Sequence, residues 1–429
     1  GPRSALFAPF PDLGLIVIDE EHENSYKSDS MPKYHAREVA EHIASVAEAS
    51  VVLGSATPSV TSFYRAMNGE YGYFYLENRY NSRKLPTVYT VDLREELKKG
   101  NRSIFSGLLY QKMQERLLKG QQIMLFLNRR GYTSFLSCRS CGQVLKCPHC
   151  DVSLTMHGNR KMVCHYCGYE TPAVKICPHC GSRHIAGFKA GTEQVENNIR
   201  NMFPKARILR MDRDTTQKKD DYEKILSTFA AGEADILIGT QMIVKGHDFP
   251  MVTLVGVLAA DLSLGGGDYQ AGERTFELLT QAVGRAGRGE LPGEAVIQTY
   301  QPEHYAIVDA ASQDYDSFYK NEIAYRQLCN YPPIRHMLAV LFTSDRQELA
   351  TQASNQTAEL LKESNDTGCQ IIGPADAGIR KINDVYRRML YVRHEQYEEL
   401  IKVKDLIENF MEQRKRSLPD AVFTLILIP

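Results

Sequence analysis

The chain has 429 residues, enough for two to four domains, and its 43% hydrophobic and 24% charged content is ordinary for a globular protein rather than a disordered one. A formal net charge of −1 neither supports nor excludes a nucleic-acid partner. The longest apolar runs, such as the closing "AVFTLILIP", are too short to cross a bilayer, and the start lacks the basic-then-apolar pattern of a signal peptide. The first predicted element is Leu15-Ile16-Val17-Ile18, an apolar run suited to a strand buried on both faces of a parallel sheet. Asp19 and Glu20 follow at its C-terminal edge, where ligands sit in open α/β sheets. Carboxylates there can hold Mg²⁺ on a nucleotide and orient a water; a solvated acidic turn is the plainer reading.

A loop follows (Ser28, Asp29, Ser30, Pro32), then a helix from about Ala36 and a buried strand at Val51-Val52-Leu53 that ends in "GSATPS". "RKLPTVYTVDLR" reads as a linker running into a strand; a helix over Ser106 to Lys119 and a strand "QIMLFL" ending at "NRRGY" come next. Beyond a cysteine-rich segment, about Ser137 to His184, the alternation resumes with strand "RILRM", helix "KKDDYEKILSTFAAG", strands "DILIGT" and "VTLVGVL", helix "ERTFELLTQAVG" and strand "EAVIQTY". This predicts a largely parallel, doubly wound sheet with the cysteine-rich segment inserted. From about Tyr331 the order becomes β-α-β-β-α-β, a split-βαβ unit behind the proline-marked linker "NYPPIR".

Eight of the ten cysteines form four Cys-x-x-Cys pairs: Cys138/Cys141, Cys147/Cys150, Cys164/Cys167 and Cys177/Cys180. Two intervening residues let both thiolates bind one tetrahedral ion, so four pairs make two Cys₄ zinc sites. An iron–sulfur cluster or redox dithiols fit the regular "CRSCG", "CPHCD", "CHYCG" and "CPHCG" knuckles less well. His149, His165 and His179 lie inside the knuckles and read as exposed, because four thiolates already fill each shell. Cys329 and Cys369 read as buried apolar thiols, and free thiols beside zinc sites imply a reducing, cytoplasmic compartment. Residues 128–213 carry 14 Lys/Arg against 5 Asp/Glu. Each Zn(Cys)₄ site contributes about −2, which leaves a modest positive surface able to follow a phosphate backbone.

"QAVGRAGRG" (Gln281 to Gly289) sets Arg285 and Arg288 three residues apart, on one helical face or at its frayed end. Paired guanidiniums attract a phosphate chain, and Gly284, Gly287 and Gly289 let another surface approach closely. A solvated helix end is the alternative. In "DILIGTQMIVKGHDFP", Gly239 and Thr240 end a strand where backbone N–H groups and a hydroxyl can hold phosphate; Lys245, His247 and Asp248 follow in a turn.

In order, the chain carries "DEEH", "GSATPS", "NRRGY", "GTQMIVKGHDFP" and "QAVGRAGR", which resemble motifs II to VI of superfamily 2 helicases. With eight cysteines inserted after "NRRGY", the whole chain resembles the family of bacterial primosomal protein N′, the replication-restart DNA helicases. The resemblance implies a multidomain α/β fold: a partial RecA-like lobe 1 (1–83), a complete RecA-like lobe 2 (84–136 and 185–315), a zinc insertion (137–184), and a linker with a ribosomal-S10-like α+β domain (316–429). It implies ATP held between the lobes, with Asp19 on Mg²⁺ and Glu20 activating water. Glu21, His22 and Gly54-Ser55-Ala56-Thr57 would link hydrolysis to DNA. Gly239, Thr240, Lys245, Gly246 and Asp248 would couple nucleotide to strand contact, and Gln281, Arg285 and Arg288 would face the phosphates. It pairs the cysteines in a nested way, Cys138, Cys141, Cys177 and Cys180 for one zinc, Cys147, Cys150, Cys164 and Cys167 for the other; spacing alone leaves a sequential pairing equally open. A loop that senses single-stranded DNA would hold Tyr26, Tyr34 and His35, unless these rings merely pack against the lobe; the C-terminal domain would bear the basic run Arg387-Arg388.

The partners implied are forked and single-stranded DNA, single-stranded-DNA-binding protein, and primosome and helicase-loading proteins, with no membrane and a cytoplasmic, nucleoid-associated location. The family's P-loop, Gly-x-x-x-x-Gly-Lys-Ser/Thr, is not found in the 429 residues. The expectation is therefore a C-terminal piece that does not hydrolyse ATP alone. A translocase that remodels protein–DNA complexes without unwinding, and a non-catalytic zinc scaffold, are the competing functions.

Overall fold

The computed structural model of the chain describes residues 2–28, 33–76, 85–127, 134–150, 152–156, 161–186, 191–212, 215–216, 219–244, 249–264, 268–364, 368–414 and 422–428. The N-terminal unit is small. Strand β1 (Leu15–Asp19) pairs parallel with β2 (Ser50–Gly54), which sets Asp19 opposite Gly54. Between them runs α1 (Ala36–Ala47), whose Ala36, Ala40 and Ala44 are buried at four-residue spacing and let the helix lie close on the sheet. Burial of β1 on both faces does not hold. Ile18 is 5% exposed, but Leu15 and Val17 are 55% and 61% exposed. Alternate side chains of a strand point to opposite faces; α1 covers one, and the face bearing Leu15, Val17 and Val52 lies open among the described residues. Helix α2 (Val60–Met67) follows, N-capped by Ser59, whose Oγ accepts from the Ser62 N–H.

The second unit contains β3 (Thr87–Asp92), α3 (Leu93–Lys98), α4 (Gly107–Leu118) and β4 (Gln122–Leu127). The short strands of the insertion come next: β5 (Ser134–Phe135), β6 (Ser137–Cys138), β7 (Thr155–Met156), β8 (Lys161–Val163), β9 (Glu170–Pro172) and β10 (Ile185–Ala186). The chain then returns through α5 (Thr192–Met202), β11 (Ile208–Met211), α6 (Lys219–Ala230), β12 (Ile236–Gly239), β13 (Val252–Leu258), α7 (Asp261–Leu264), α8 (Ala271–Val283), β14 (Glu294–Thr299), α9 (Tyr305–Ser312) and α10 (Tyr315–Cys329). The sheet order is β11-β12-β4-β13-β14-β3, and every pair is parallel. A two-residue period splits the core between its faces. Met124 and Phe126 of β4 pack with Phe229, Phe276 and Phe318, whereas Ile123, Leu125 and Leu127 pack with Leu109 and Val195. Each such buried side chain contributes about 1.5–3 kcal/mol. The expected doubly wound sheet is therefore the framework, with helices on both faces.

The C-terminal unit is β15 (His336–Ser344), α11 (Gln347–Glu363), β16 (Gln370–Ile382), β17 (Val385–His394), α12 (Tyr397–Arg414) and β18 (Val422–Ile428). Its antiparallel order β16-β17-β15-β18 is the split-βαβ topology, and α11 and α12 share one core with the sheet. Asn383 and Asp384 turn the β16–β17 hairpin with φ of 48° and 62°, the left-handed pair a two-residue turn needs.

Aromatic rings join the units. Phe63 of α2 meets Tyr315 and Tyr319 of α10 edge-on at 5.0 and 4.6 Å. Tyr269 stacks on Tyr331 at 4.7 Å, and Tyr166 of the insertion stacks on Tyr391 of β17 at 4.8 Å and meets Tyr331 edge-on at 6.2 Å. Among the described residues no helix is long and apolar enough to cross a membrane.

Candidate motor cleft and metal centres

The stretch after β1 sorts its four ionisable side chains by direction. Asp19 and Glu20 are exposed at the strand's C-terminal edge. Glu20 adopts a left-handed φ of 49°, an uncommon state for a non-glycine residue, and its N–H donates to Asp19 Oδ1 at 3.0 Å. Glu21 turns inward and is 2% exposed. It accepts from the Ser59 N–H (2.6 Å), Ser62 Oγ (2.9 Å), Ser59 Oγ (3.2 Å) and Arg37 Nη1 (3.4 Å). These bonds fix the start of α2 to the carboxylate motif, so Glu21 is a structural hub.

His22 spans the two lobes. Gln281 Nε2 donates to His22 Nε2 at 2.9 Å. A neutral imidazole then carries its proton on Nδ1, which donates to Ser55 Oγ at 2.6 Å. Ser55 Oγ also accepts from the Thr57 N–H at 3.0 Å, and Thr57 is buried. One imidazole thus joins "DEEH", "GSATPS" and "QAVGRAGR". Ala56 is exposed, and Gly54 lies beside Asp19 through the β1–β2 register.

In lobe 2, α8 ends at Val283, so Arg285 and Arg288 sit in the turn beyond it, both partly exposed; Arg288 Nε donates to the Gly284 carbonyl at 3.0 Å. Two glycines make that turn possible. A Cβ on Gly287 would lie 2.4 Å from Gly293 N, and one on Gly289 would lie 2.2 Å from the Pro250 carbonyl oxygen. Gly239 closes β12, with Thr240 partly exposed beside it. Lys245, Gly246, His247 and Asp248, and all of "NRRGY", lie outside the described residues.

A small cleft between the lobes is lined by His22, Gln241, Arg274, Glu277 and Gln281. Burial pushes the Glu277 carboxyl well above its usual range, and the neighbouring Glu273 carboxylate adds to the effect. The three candidate DNA-sensing rings all carry structural contacts. Tyr26 donates its hydroxyl to the Asp19 carbonyl at 2.7 Å, and Tyr34 packs edge-on against Phe7 at 5.2 Å. His35 caps α1, its Nδ1 accepting from the Arg37 N–H at 3.3 Å, and burial lowers its pKa to about 4.

Sequence reading passed over the residues that hold the lobes together. Glu273 accepts the Val60 N–H at 2.7 Å, and Tyr315 donates to the Pro58 carbonyl at 2.7 Å. Arg326 is fully buried, with Glu273 at 2.6 Å and Glu322 at 2.9 Å. Only the four-residue spacing of Glu322 and Arg326 on α10 was visible beforehand as a signal.

The cysteines gather as two nested groups: Cys138, Cys141, Cys177 and Cys180, then Cys147, Cys150, Cys164 and Cys167, with ligand atoms within 4.8 Å of one another. The Sγ separations Cys138–Cys180, Cys141–Cys177 and Cys147–Cys167 are 3.6, 3.7 and 3.6 Å. A tetrahedral Zn²⁺ with bonds of about 2.3 Å requires sulfurs about 3.8 Å apart, so both groups fit zinc and neither is a disulfide. Each set of four thiolates would hold one ion as a closed structural centre. The first group rests on lobe 2 through Arg94 Nη1, which donates to the Cys141 carbonyl at 3.2 Å. The second is the buried one. Tyr331 donates its hydroxyl to the Cys150 carbonyl at 3.0 Å, and His165 Nδ1 bonds the Asp376 carbonyl at 3.0 Å. His165 is 9% exposed, which corrects its reading as an exposed knuckle residue: the C-terminal unit packs over it. His149 and His179 are exposed as expected.

Known proteins carry the same assembly of parts. Residues 327–424 match the primosomal protein N C-terminal domain, 147–172 the Cys-rich region domain of PriA DNA helicase, and 182–290 the helicase conserved C-terminal domain. The replication restart protein PriA of Bacillus subtilis is 48% identical over 97% of this chain and 52% of its own length. That of Synechocystis is 42% identical over 99% of this chain and 51% of its own length, and that of Haemophilus influenzae 37% over 92% and 54%. The chain spans about half the length of the curated relatives it matches. With both Cys₄ groups, the six-stranded parallel sheet and the C-terminal split-βαβ unit in place, the chain belongs to the PriA replication-restart family.

Proposed function

We propose that the chain is the motif II–VI portion of an ATP-dependent 3′→5′ DNA helicase that acts at stalled or abandoned replication forks and helps reload the replicative helicase. The observation that carries this reading is the His22 bridge, which brings the carboxylate motif of one lobe against the arginine motif of the other. Asp19 and Glu20 offer exposed hard oxygens at a strand edge, a donor set that suits Mg²⁺, and the ion would supply charge neutralisation to the phosphates of ATP. Asp19 would hold the ion, Glu20 would orient the attacking water, and Arg285 and Arg288 would offset charge on the phosphates. Gly239, Thr240, Lys245, Gly246, Asp248 and Gln281 would relay the nucleotide state to the strand, and Tyr26, Tyr34 and His35 would offer it rings for base stacking.

The units divide as 1–83, 84–136 with 185–315, 137–184 and 316–429, with α10 as a strut packed on lobe 2. Partners are forked and single-stranded DNA, single-stranded-DNA-binding protein and primosome proteins in the bacterial cytoplasm. Without a Gly-Lys-Ser/Thr phosphate loop in its 429 residues, the chain alone is inactive. Comparing the 429-residue chain with a full-length relative in a DNA-stimulated ATPase assay tests this. Turnover by the isolated chain that Glu20→Gln abolishes would overturn the inactivity; no turnover by the full-length protein would overturn the motor.

A further inference from the structure

The first two amides at the head of α2 are held by carboxylates from opposite lobes. Glu21 of lobe 1 takes the Ser59 N–H at 2.6 Å, and Glu273 of α8 takes the Val60 N–H at 2.7 Å. The first N–H groups of a helix have no partner within it, so these carboxylates supply what the helix lacks. The second oxygen of Glu273 accepts from Arg326 Nη2 at 2.6 Å. Arg326 also donates from Nε to Glu322 Oε1 at 2.9 Å and from Nη1 to the Pro332 carbonyl at 2.9 Å. The adjacent Tyr331 reaches the Cys150 carbonyl of the buried cysteine group, and Arg393 of the C-terminal unit lies over the Tyr331 ring at 4.4 Å. The joint is closely packed. A Cβ on Gly272 would lie 2.7 Å from Tyr305 Oη and 2.8 Å from Glu322 Oε2, and those two groups bond each other at 2.7 Å. A buried guanidinium held in fixed directions by two carboxylates and a carbonyl transmits displacement rather than absorbing it.

We propose that Glu273 and Arg326 are positioning residues that tie the head of α2 in lobe 1 to the second zinc centre and the C-terminal unit, so that movement between the lobes is felt at the metal-bearing side. Both residues are buried, Glu273 at 5% and Arg326 at 0% exposure. The proposal rests on the motor reading for its purpose, but not for its geometry.

Hydrogen exchange on the 429-residue chain tests the geometry. Glu273→Ala is expected to speed exchange at least tenfold both in residues 60–63 and in 326–334. Glu273→Gln keeps an oxygen for Val60 but turns an amide donor toward Arg326, so only 326–334 should loosen. Zinc content of two per chain checks that each variant is folded; should Glu273→Ala fail that check, loosening of 326–334 in both Glu273→Gln and Gly272→Ala, with 60–63 unchanged in Glu273→Gln, decides. Gly272→Ala crowds the Tyr305–Glu322 side and should also loosen 326–334. Unchanged exchange at 326–334 in Glu273→Gln, or equal loosening of 60–63 in Gln and Ala variants, overturns the joint. In the full-length protein Glu273→Gln should lower base pairs unwound per ATP several-fold with the KM for ATP unchanged; an unchanged ratio overturns the coupling. If the full-length parent unwinds nothing, the motor reading fails while the exchange result still decides the joint.

Discussion

Removing one oxygen atom, by Tyr331→Phe, should loosen one zinc centre and spare the other. Tyr331 is 0% exposed, and its ring is fixed by Tyr269, Tyr166 and Arg393 whether or not it bears a hydroxyl. The substitution therefore deletes the 3.0 Å bond to the Cys150 carbonyl and little else. Leaving a buried carbonyl unsatisfied costs about 1–3 kcal/mol. Because Cys150 is a proposed ligand, that loss falls on the metal-bound state: at about 1.4 kcal/mol per decade it is roughly a 5- to 150-fold loss of affinity, in line with the ~10–100-fold typical of outer-shell partners. The Cys138 group contains the exposed Cys180, whereas the Cys147 group has three buried thiols and no exposed one, so titration with a chromogenic chelator should release zinc in two phases. Tyr331→Phe should move the slow phase toward the fast one and leave the fast one in place. Two unchanged phases, or an equal change in both, would refute the reasoning.

The His22–Gln281 bond should be measurable as a double-mutant cycle with His22→Ala and Gln281→Ala, with a coupling of about 0.5–1.5 kcal/mol in chemical denaturation; zero coupling would dissolve the interlobe bridge. Two capping histidines should make the fold acid-sensitive: His304 caps α9, its Nδ1 accepting from the Ala306 N–H at 3.2 Å, and burial lowers both His35 and His304 to about 4, against about 6.5 in the unfolded chain. Between those values the unfolded state binds more protons, so their contribution is present above about pH 6.5 and is lost as pH falls through about 4. Asn at either position keeps a capping oxygen, so His304→Asn should flatten the fall in melting temperature over that window. Gly289→Ala places a Cβ against the Pro250 carbonyl and should destabilise lobe 2 by about 1–3 kcal/mol; an unchanged melting temperature would mean that this backbone contact is not tight.

Much of this was legible in the residues. Alternating apolar runs located the strands of the parallel sheet, because a doubly covered strand has no polar face to hide its signal: β4, β12 and β13 are buried throughout. The knuckles announced two metal centres, but nested and sequential pairing have the same spacing, and only the fold separates them. The exposed face of β1 was not legible, because an apolar run does not say which helices arrive to cover it. Nor was the burial of His165, which depends on a unit more than 200 residues away. The Glu273–Arg326 pair was not legible either, since a polar residue buried by its partner leaves no periodic mark on the sequence.

The proposed motor requires one cleft that serves both the Asp19–Glu20 pair and the Arg285–Arg288 pair. DNA-stimulated ATP turnover by the full-length protein, measured for Glu20→Gln, Arg288→Ala and the double variant, tests it most directly. Groups that act on one transition state lose function together rather than independently. Each single variant should fall by roughly 10³-fold or more, and the double variant should be no slower than the worse single. Losses that multiply, or an Arg288→Ala variant that turns over like the parent, would place the two pairs in separate sites.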